Sequence, residues 1–285
     1  LFKNTTNPEI ATGDGIAIAS RAGALIKDIQ YIQFHPTALY EGDKNPFFLV
    51  SEAVRGFGAH IVNEDKKRFI FKSDTRGELA TRDIVSQAIS EEMETSGKQH
   101  VYLDCRHLDI EKFYTHFPFI TEYCQTIGLD PKTDLIPIVP VAHYQCGGIN
   151  VNKNSETNIK NLYAIGECSR TGLHGKNRLA SNSLLEALVF AHQASKHIEN
   201  SIDAVSFSTK KFMSDFSEPL VNLYSDNFVE LKKELQSLMT ILYANKEVDF
   251  RKILDKIETM KMKTVSLLFE KQKITTQLEE FTNLK

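Results

Sequence analysis

Cysteine is scarce in these 285 residues, and the four present, Cys105, Cys124, Cys146 and Cys168, show no CxxC spacing. That argues against a disulfide framework or a cysteine-held zinc site, and for reduced thiols in a cytoplasmic protein. Long apolar runs are missing too: stretches such as residues 184–191 fall well short of the ~20 a membrane helix needs. No secretory signal is visible. A formal net charge of -3 gives no reason to expect nucleic acid or an anionic membrane surface as a partner. No Ser-His-Asp order, paired-carboxylate glycosidase pattern or HExxH stands out. Gly13-x-Gly15-x-x-Ile18 lacks the third glycine and the preceding strand of a dinucleotide fingerprint. What is there is ordinary globular material. Apolar content of 41% and charged content of 25% exclude a disordered or fibrous chain and suffice for one large or two ordinary domains.

Four stretches separate by pattern. In residues 1–30, Thr12-Gly13-Asp14-Gly15 leads into an Ala/Ile-rich segment, residues 16–26, with helical propensity. Residues 31–140 open on the strand-like Tyr31-Ile32-Gln33-Phe34. They continue with a helix over 81–94, a strand over 101–103 and helices around Pro118 within 109–127. Residues 141–200 return to strand-and-glycine chemistry, with Cys146-Gly147-Gly148, a strand over 161–165 and a long helix over 181–197. In residues 201–285, Leu231, Leu235, Leu238 and Leu242 recur at helical spacing, as do Ile253, Ile257 and Met260. That last stretch reads as an antiparallel helical tail for packing or oligomerisation.

Candidate chemistry gathers in a few blocks. In Gln33-Phe34-His35-Pro36-Thr37, the proline holds His35 extended, where a strand end can present the imidazole to a cleft. Ser51-Glu52-Ala53-Val54-Arg55 places a hydroxyl, a carboxylate and a guanidinium within about one helical turn. Arg76 and Arg82 add cations suited to bidentate carboxylate recognition, although Arg82-Asp83 also fits a plain helix-start salt bridge. The pair Gly147-Gly148, just after His143, allows either close approach to a planar ligand or a tight structural turn. Leu162-Tyr163-Ala164-Ile165-Gly166-Glu167 reads as a buried strand whose terminal carboxylate is placed to accept sugar-like hydroxyls. Ser181-Asn182-Ser183 opens an apolar helix, either as a simple cap or as a positive helix end facing a cofactor, with Arg178 one turn earlier.

Together the blocks QFHPT, SEAVRG, RGELATRD, AHYQCGG, LYAIGE and LHGKNRLASNSLLE resemble the succinate dehydrogenase and fumarate reductase flavoprotein family, over about residues 7–200. Within it they look like the L-aspartate oxidase branch. Ala180-Ser181-Asn182-Ser183 stands where succinate dehydrogenases have Gly-Ala-Asn-Ser, and Ala142-His143-Tyr144-Gln145-Cys146 where they have Thr-His-Tyr-Asn-Met. Phe57 and Lys176 depart from the usual Glu and Ala of the family.

The resemblance implies an α/β plus α architecture. Residues 1–30 and 141–200 would be parts of an FAD-binding α/β domain, 31–140 an inserted α+β capping domain, and 201–285 a helical C-terminal domain. Asp14, Glu167, Ser183 and Leu184 match contacts to a non-covalent FAD. His35, Ser51, Glu52, His143 and Arg178 match the ring that holds substrate carboxylates, and Arg82 the arginine that passes a proton; no metal is implied. The implied chemistry takes L-aspartate to iminoaspartate, with FAD reoxidised by fumarate or dioxygen, and feeds quinolinate synthase and NAD biosynthesis. The opening at Leu1, with a Gly-rich turn as first feature, reads as a fragment lacking the family's ADP-gripping segment, with doubtful FAD binding and no activity of its own. The alternatives are a soluble fumarate reductase or succinate dehydrogenase flavoprotein, or a non-catalytic structural fragment.

Overall fold

The computed structural model describes residues 1–201, 226–244 and 249–271. Parts of the expected helical tail, at 202–225, 245–248 and 272–285, lie outside the described residues. The Ala/Ile-rich segment forms α1 (Asp14–Arg21), with Asp14 in its first turn and Arg21 in its last, each complementing the helix dipole. The helix is shorter than its composition predicts. Gly23 adopts φ 94 and breaks it, and the expected helical residues beyond are drawn into β1 (Ile26–Lys27), where Ile26 pairs with Ile149.

β2 (Ile32–Leu39), β3 (His60–Val62), β4 (Val101–Asp104) and β5 (Ile136–Gln145) form an antiparallel sheet in the order β2-β5-β4-β3. β4 alternates, with Val101 and Leu103 inward, whereas β2 is buried along nearly its whole length. β5 passes through the division between residues 140 and 141. Four helices accompany this sheet: α2 (Glu52–Gly56), α3 (Arg82–Ser96), α4 (Ile110–His116) and α5 (Pro118–Thr126). Ser51 caps α2 and Asp109 caps α4 with side-chain oxygens, while Pro118 starts α5 where a missing N–H costs nothing. The core between them includes Leu39, Val54, Ile61, Ile89, Leu103, Phe113 and Ile138.

β1 joins β6 (Gly148–Asn150) and β7 (Ser169–Arg170) in a smaller sheet, antiparallel on one side and parallel on the other. The strand expected over 161–165 does not form. Leu162 N–H closes a turn onto Ile159 O, and pairing stops at a single antiparallel bridge between Tyr163 and Glu156, made by Ala164 N–H to Ser155 O and Thr157 N–H to Leu162 O. The apolar run is therefore a packed loop. α6 (Asn182–Ser201) buries Glu186 and Ala194 and leaves Leu184, Leu185, Leu188 and Val189 exposed.

α7 (Asp226–Ala244) and α8 (Phe250–Lys271) pack through Leu231, Leu235, Leu238, Ile253 and Met260, with Leu242 and Ile257 alongside. α7 also reaches the larger sheet, where Tyr243 stacks on Phe34 with ring centroids 3.5 Å apart, next door to His35. No helix among the described residues is long and apolar enough to cross a membrane.

Candidate active site

Two irregularities in the β2–β5 pairing flank the histidines. Gln33 pairs with Tyr144 and Phe34 with Ala142, leaving His143 as the extra residue on β5. His35 then pairs with Val141 and Ala38 with Val139, so β2 bulges at Pro36-Thr37, where proline has no N–H for the ladder. Bulges of this kind re-aim side chains, and here the two imidazole centroids come within 5.2 Å. Thr37 N–H donates to His35 Nδ1 at 3.3 Å, which makes Nδ1 an acceptor and leaves the proton on Nε2. Nδ1 of His143 lies 2.8 Å from the Thr6 hydroxyl. Burial first, and then the charge of Arg82, lowers both imidazoles, His35 well below the ordinary range and His143 to about 4. Both rings are neutral at pH 7.

The arginines converge on the same place. Glu52, opening α2, accepts from Arg55 at 3.0 Å and from Arg82 Nε at 2.8 Å. Arg82 does not pair with Asp83, which instead accepts from Asn177 at 2.9 Å. Arg82 also donates to Gln33 Oε1 at 3.1 Å, and the Gln33 amide nitrogen donates to the Arg178 carbonyl at 2.7 Å and to Asn177 at 2.9 Å. One amide thus ties β2 to α3 and to the segment before α6. Arg55, fully buried, donates to the carbonyls of Glu78 and Ala80, and burial lowers its pKa. Arg178 lies with its guanidinium carbon 4.4 Å over the Tyr144 ring. Its hydrogen bonds are long, 3.4 Å to both Leu179 O and Ser183 Oγ, and its Nε is buried with no partner. Burial, then Arg82, lowers its pKa.

His35, Glu52, Arg82, His143 and Arg178 are therefore brought together. Ser51 Oγ accepts from the Ala53 N–H at 3.2 Å, which leaves its O–H as a donor. Ser183 touches Arg178. Glu167, with no strand beneath it, accepts from the Gln145 N–H at 2.8 Å, and Arg178 acts on it electrostatically. Leu184 is exposed on α6 and Asp14 opens α1. The paired glycines serve the chain itself. A Cβ on Gly147 would sit 1.9 Å from Asp28 O, and one on Gly148 2.4 Å from Cys168 O, so the close approach is protein against protein. Gln33, Asn177, Tyr144 and Thr6 have roles that the motif reading missed. Gln33 carried the one usable signal, an amide in a buried strand two residues before His35. Among the described residues no cluster of His, Cys, Asp and Glu is arranged to hold a metal ion.

The family described as FAD binding domain matches residues 1–184. The chain belongs to that family. It is 40% identical over 294 residues to the L-aspartate oxidase of Acinetobacter baylyi, an alignment covering 98% of this chain and 52% of the relative. It is 44% identical over 255 residues to the chloroplastic L-aspartate oxidase of Oryza sativa, covering 84% of this chain and 40% of the relative. Among solved structures it is similar to a mutant FrdA chain of Escherichia coli quinol fumarate reductase, with TM-score 0.79 and 30% identity over 99% of this chain and 52% of that one. Mycobacterium smegmatis Sdh1 gives TM-score 0.72 and 31% identity, covering 92% of this chain and 46% of that one. The fold is thus the mixed α/β fold of these family members. The chain spans about half the length of the curated relatives it matches.

Proposed function

We propose that these residues form the dicarboxylate-handling part of an L-aspartate oxidase, which converts L-aspartate to iminoaspartate. The observation that carries this reading is the weakly bonded Arg178 guanidinium, its Nε without an acceptor, in a cluster with too little negative charge. Among the described residues, Glu52 is the one carboxylate bonded to Arg55, Arg82 or Arg178, and both histidines are neutral. A buried guanidinium short of acceptors is costly, and a ligand carboxylate supplies two in the right fork geometry. Several cations in one cluster suit a ligand with a carboxylate at each end, a feature shared by aspartate, fumarate and succinate. On this reading His35, Ser51, Glu52, His143 and Arg178 bind and orient substrate. Arg82, bonded to both Glu52 and Gln33, moves the proton.

The residues fit a non-covalent FAD beside this cluster. Glu167 keeps its second carboxylate oxygen for a ribityl hydroxyl, Ser183 stands against Arg178, and Leu184 and Asp14 complete the set. When bound, FAD supplies the acceptor for the hydride that leaves the substrate carbon. Fumarate or dioxygen then serves as terminal oxidant. Iminoaspartate would pass to quinolinate synthase, in cytoplasmic NAD biosynthesis.

Arg178→Leu tests the reading, with an expected loss of roughly 2–5 kcal/mol in dicarboxylate binding or transition-state stabilisation. Wild-type succinate affinity in that variant would remove Arg178 from the site. A second reading, a soluble fumarate reductase or succinate dehydrogenase, draws support from the TM-score of 0.79 to the FrdA chain. Turnover of aspartate against succinate with FAD present separates the two. These 285 residues on their own are expected to bind FAD weakly and to oxidise no aspartate. Micromolar binding by flavin fluorescence, with aspartate-dependent bleaching, would overturn that expectation.

A further inference from the structure

Arg178 raises a problem of position. A long side chain with only two 3.4 Å contacts and an unpartnered Nε has little hydrogen bonding to fix its rotamer. What it does have is a flat support, since its guanidinium carbon lies 4.4 Å over the Tyr144 ring. A ring face grips a guanidinium through its plane and leaves the in-plane N–H donors available to a ligand. Tyr144 is fixed at its backbone by pairing with Gln33 in the β2–β5 ladder.

Its ring has a second contact. His174 meets Tyr144 edge to face, with centroids 5.5 Å apart and planes at 85°. Behind His174 stands Glu186 on α6, its carboxylate oxygen 2.7 Å from His174 Nε2, both side chains almost fully buried. That approach is close but off-line, an electrostatic contact rather than an aligned hydrogen bond. The Thr171 hydroxyl donates to the other oxygen of Glu186. α6 thus turns a carboxylate inward while its leucines stay outside, which is the reverse of an ordinary amphipathic helix. Burying Glu186 is costly unless something is gained from it.

We infer that Tyr144 is the positioning residue for Arg178, and that Glu186 and His174 hold the Tyr144 ring in place. The inference rests on the reading of Arg178 as a carboxylate-binding residue. It adds the device that keeps that cation aimed without using up its donors.

The test reads the guanidinium directly. In the purified chain the Arg178 Nε–Hε resonance is identified by its loss in Arg178→Lys, and its order parameter is measured alongside a succinate titration. Tyr144→Leu should lower the order parameter and weaken succinate binding roughly tenfold. Tyr144→Phe, which keeps the ring, should restore both. An unchanged Arg178 signal in Tyr144→Leu overturns the inference. Should Tyr144→Leu fail to fold by circular dichroism, Glu186→Gln takes its place. It should loosen the same resonance to a smaller degree, and an unchanged signal there overturns the inference equally. Absence of succinate binding in the wild-type chain would sink the carboxylate reading alone, because the Nε–Hε signal still decides the positioning.

Discussion

Acidification from pH 7.5 to 4.5 should destabilise the chain through its buried imidazoles, and His143 allows the effect to be sized. Its pKa lies at about 4 in the fold, against 6.5 for an ordinary histidine. Below pH 6.5 the unfolded chain takes up a proton that the folded chain refuses until about pH 4, so stability falls as pH drops through that window. At 1.36 kcal/mol per pH unit, the loss at pH 4.5 integrates to about 2.5 kcal/mol, or about 2 after discounting for the solvent-facing part of the ring. His35, also lowered by burial, adds in the same sense, as do His60 and His100, while Glu167, raised by burial, opposes them. Carboxylates held low by their partners, such as Asp74 at about 2, lose their contribution only below the ordinary carboxylate range. His143→Gln isolates the group, since glutamine does not titrate. Denaturant titrations from pH 7.5 to 4.5 should show the wild type losing about 2 kcal/mol more than the variant. Parallel pH profiles for the two proteins would refute the reasoning.

Arg82→Lys in an FAD-loaded enzyme should spare most dicarboxylate binding yet lower kcat roughly 100-fold or more, because a lysine cannot reach both Glu52 and Gln33 as the guanidinium does. A rise in KM with kcat unchanged would make Arg82 a binding residue only. Gly147→Ala should destabilise the fold by about 3 kcal/mol, because the new methyl meets Asp28 O at 1.9 Å. A neutral result in chemical denaturation would mean that the loop at Asp28 yields.

Local chemistry made much of this molecule readable in advance. Pro36 marks an extended His35, and the structure places it in β2 beside a bulge. The helix expected over 81–94 is α3, and Pro118 opens α5 as a proline at a first helical turn should. Leucine spacing in the tail identifies the faces that pack between α7 and α8. The departures share a cause: composition does not show where backbone hydrogen bonds go. Residues 161–165 have a strand's side chains, but they pair only at the single Tyr163–Glu156 bridge. Residues beyond Gly23 have a helix's side chains, but Ile149 recruits Ile26 into a sheet. Gly147-Gly148 allows either a planar ligand or a tight structural turn, and it is the carbonyls of Asp28 and Cys168 that take up the close approach. Gln33, Tyr144 and Asn177 were missed because their importance is relational. No property of a glutamine in a strand announces that it will join two arginines far apart in sequence.

That joining gives the site its character. Arg55, Arg82 and Arg178 are each nearly fully buried, and burial, then the charge of Arg82, lowers the pKa of Arg178. Arg55 and Arg82 offset their burial with Glu52, Gln33 and backbone carbonyls. Arg178 offsets little of it, and Gln33 anchors only its backbone, through the carbonyl, while accepting from Arg82. On the proposed reading, the arrangement is improved by anything that brings negative charge to both arginines at once: a monocarboxylate would relieve one cation, and a dicarboxylate the repulsion as well. On the proposed reading, the same logic explains why one set of cations serves both aspartate and fumarate. The charge pattern recognises the two ends that these molecules share, and the carbon chain between them is held where the reaction occurs.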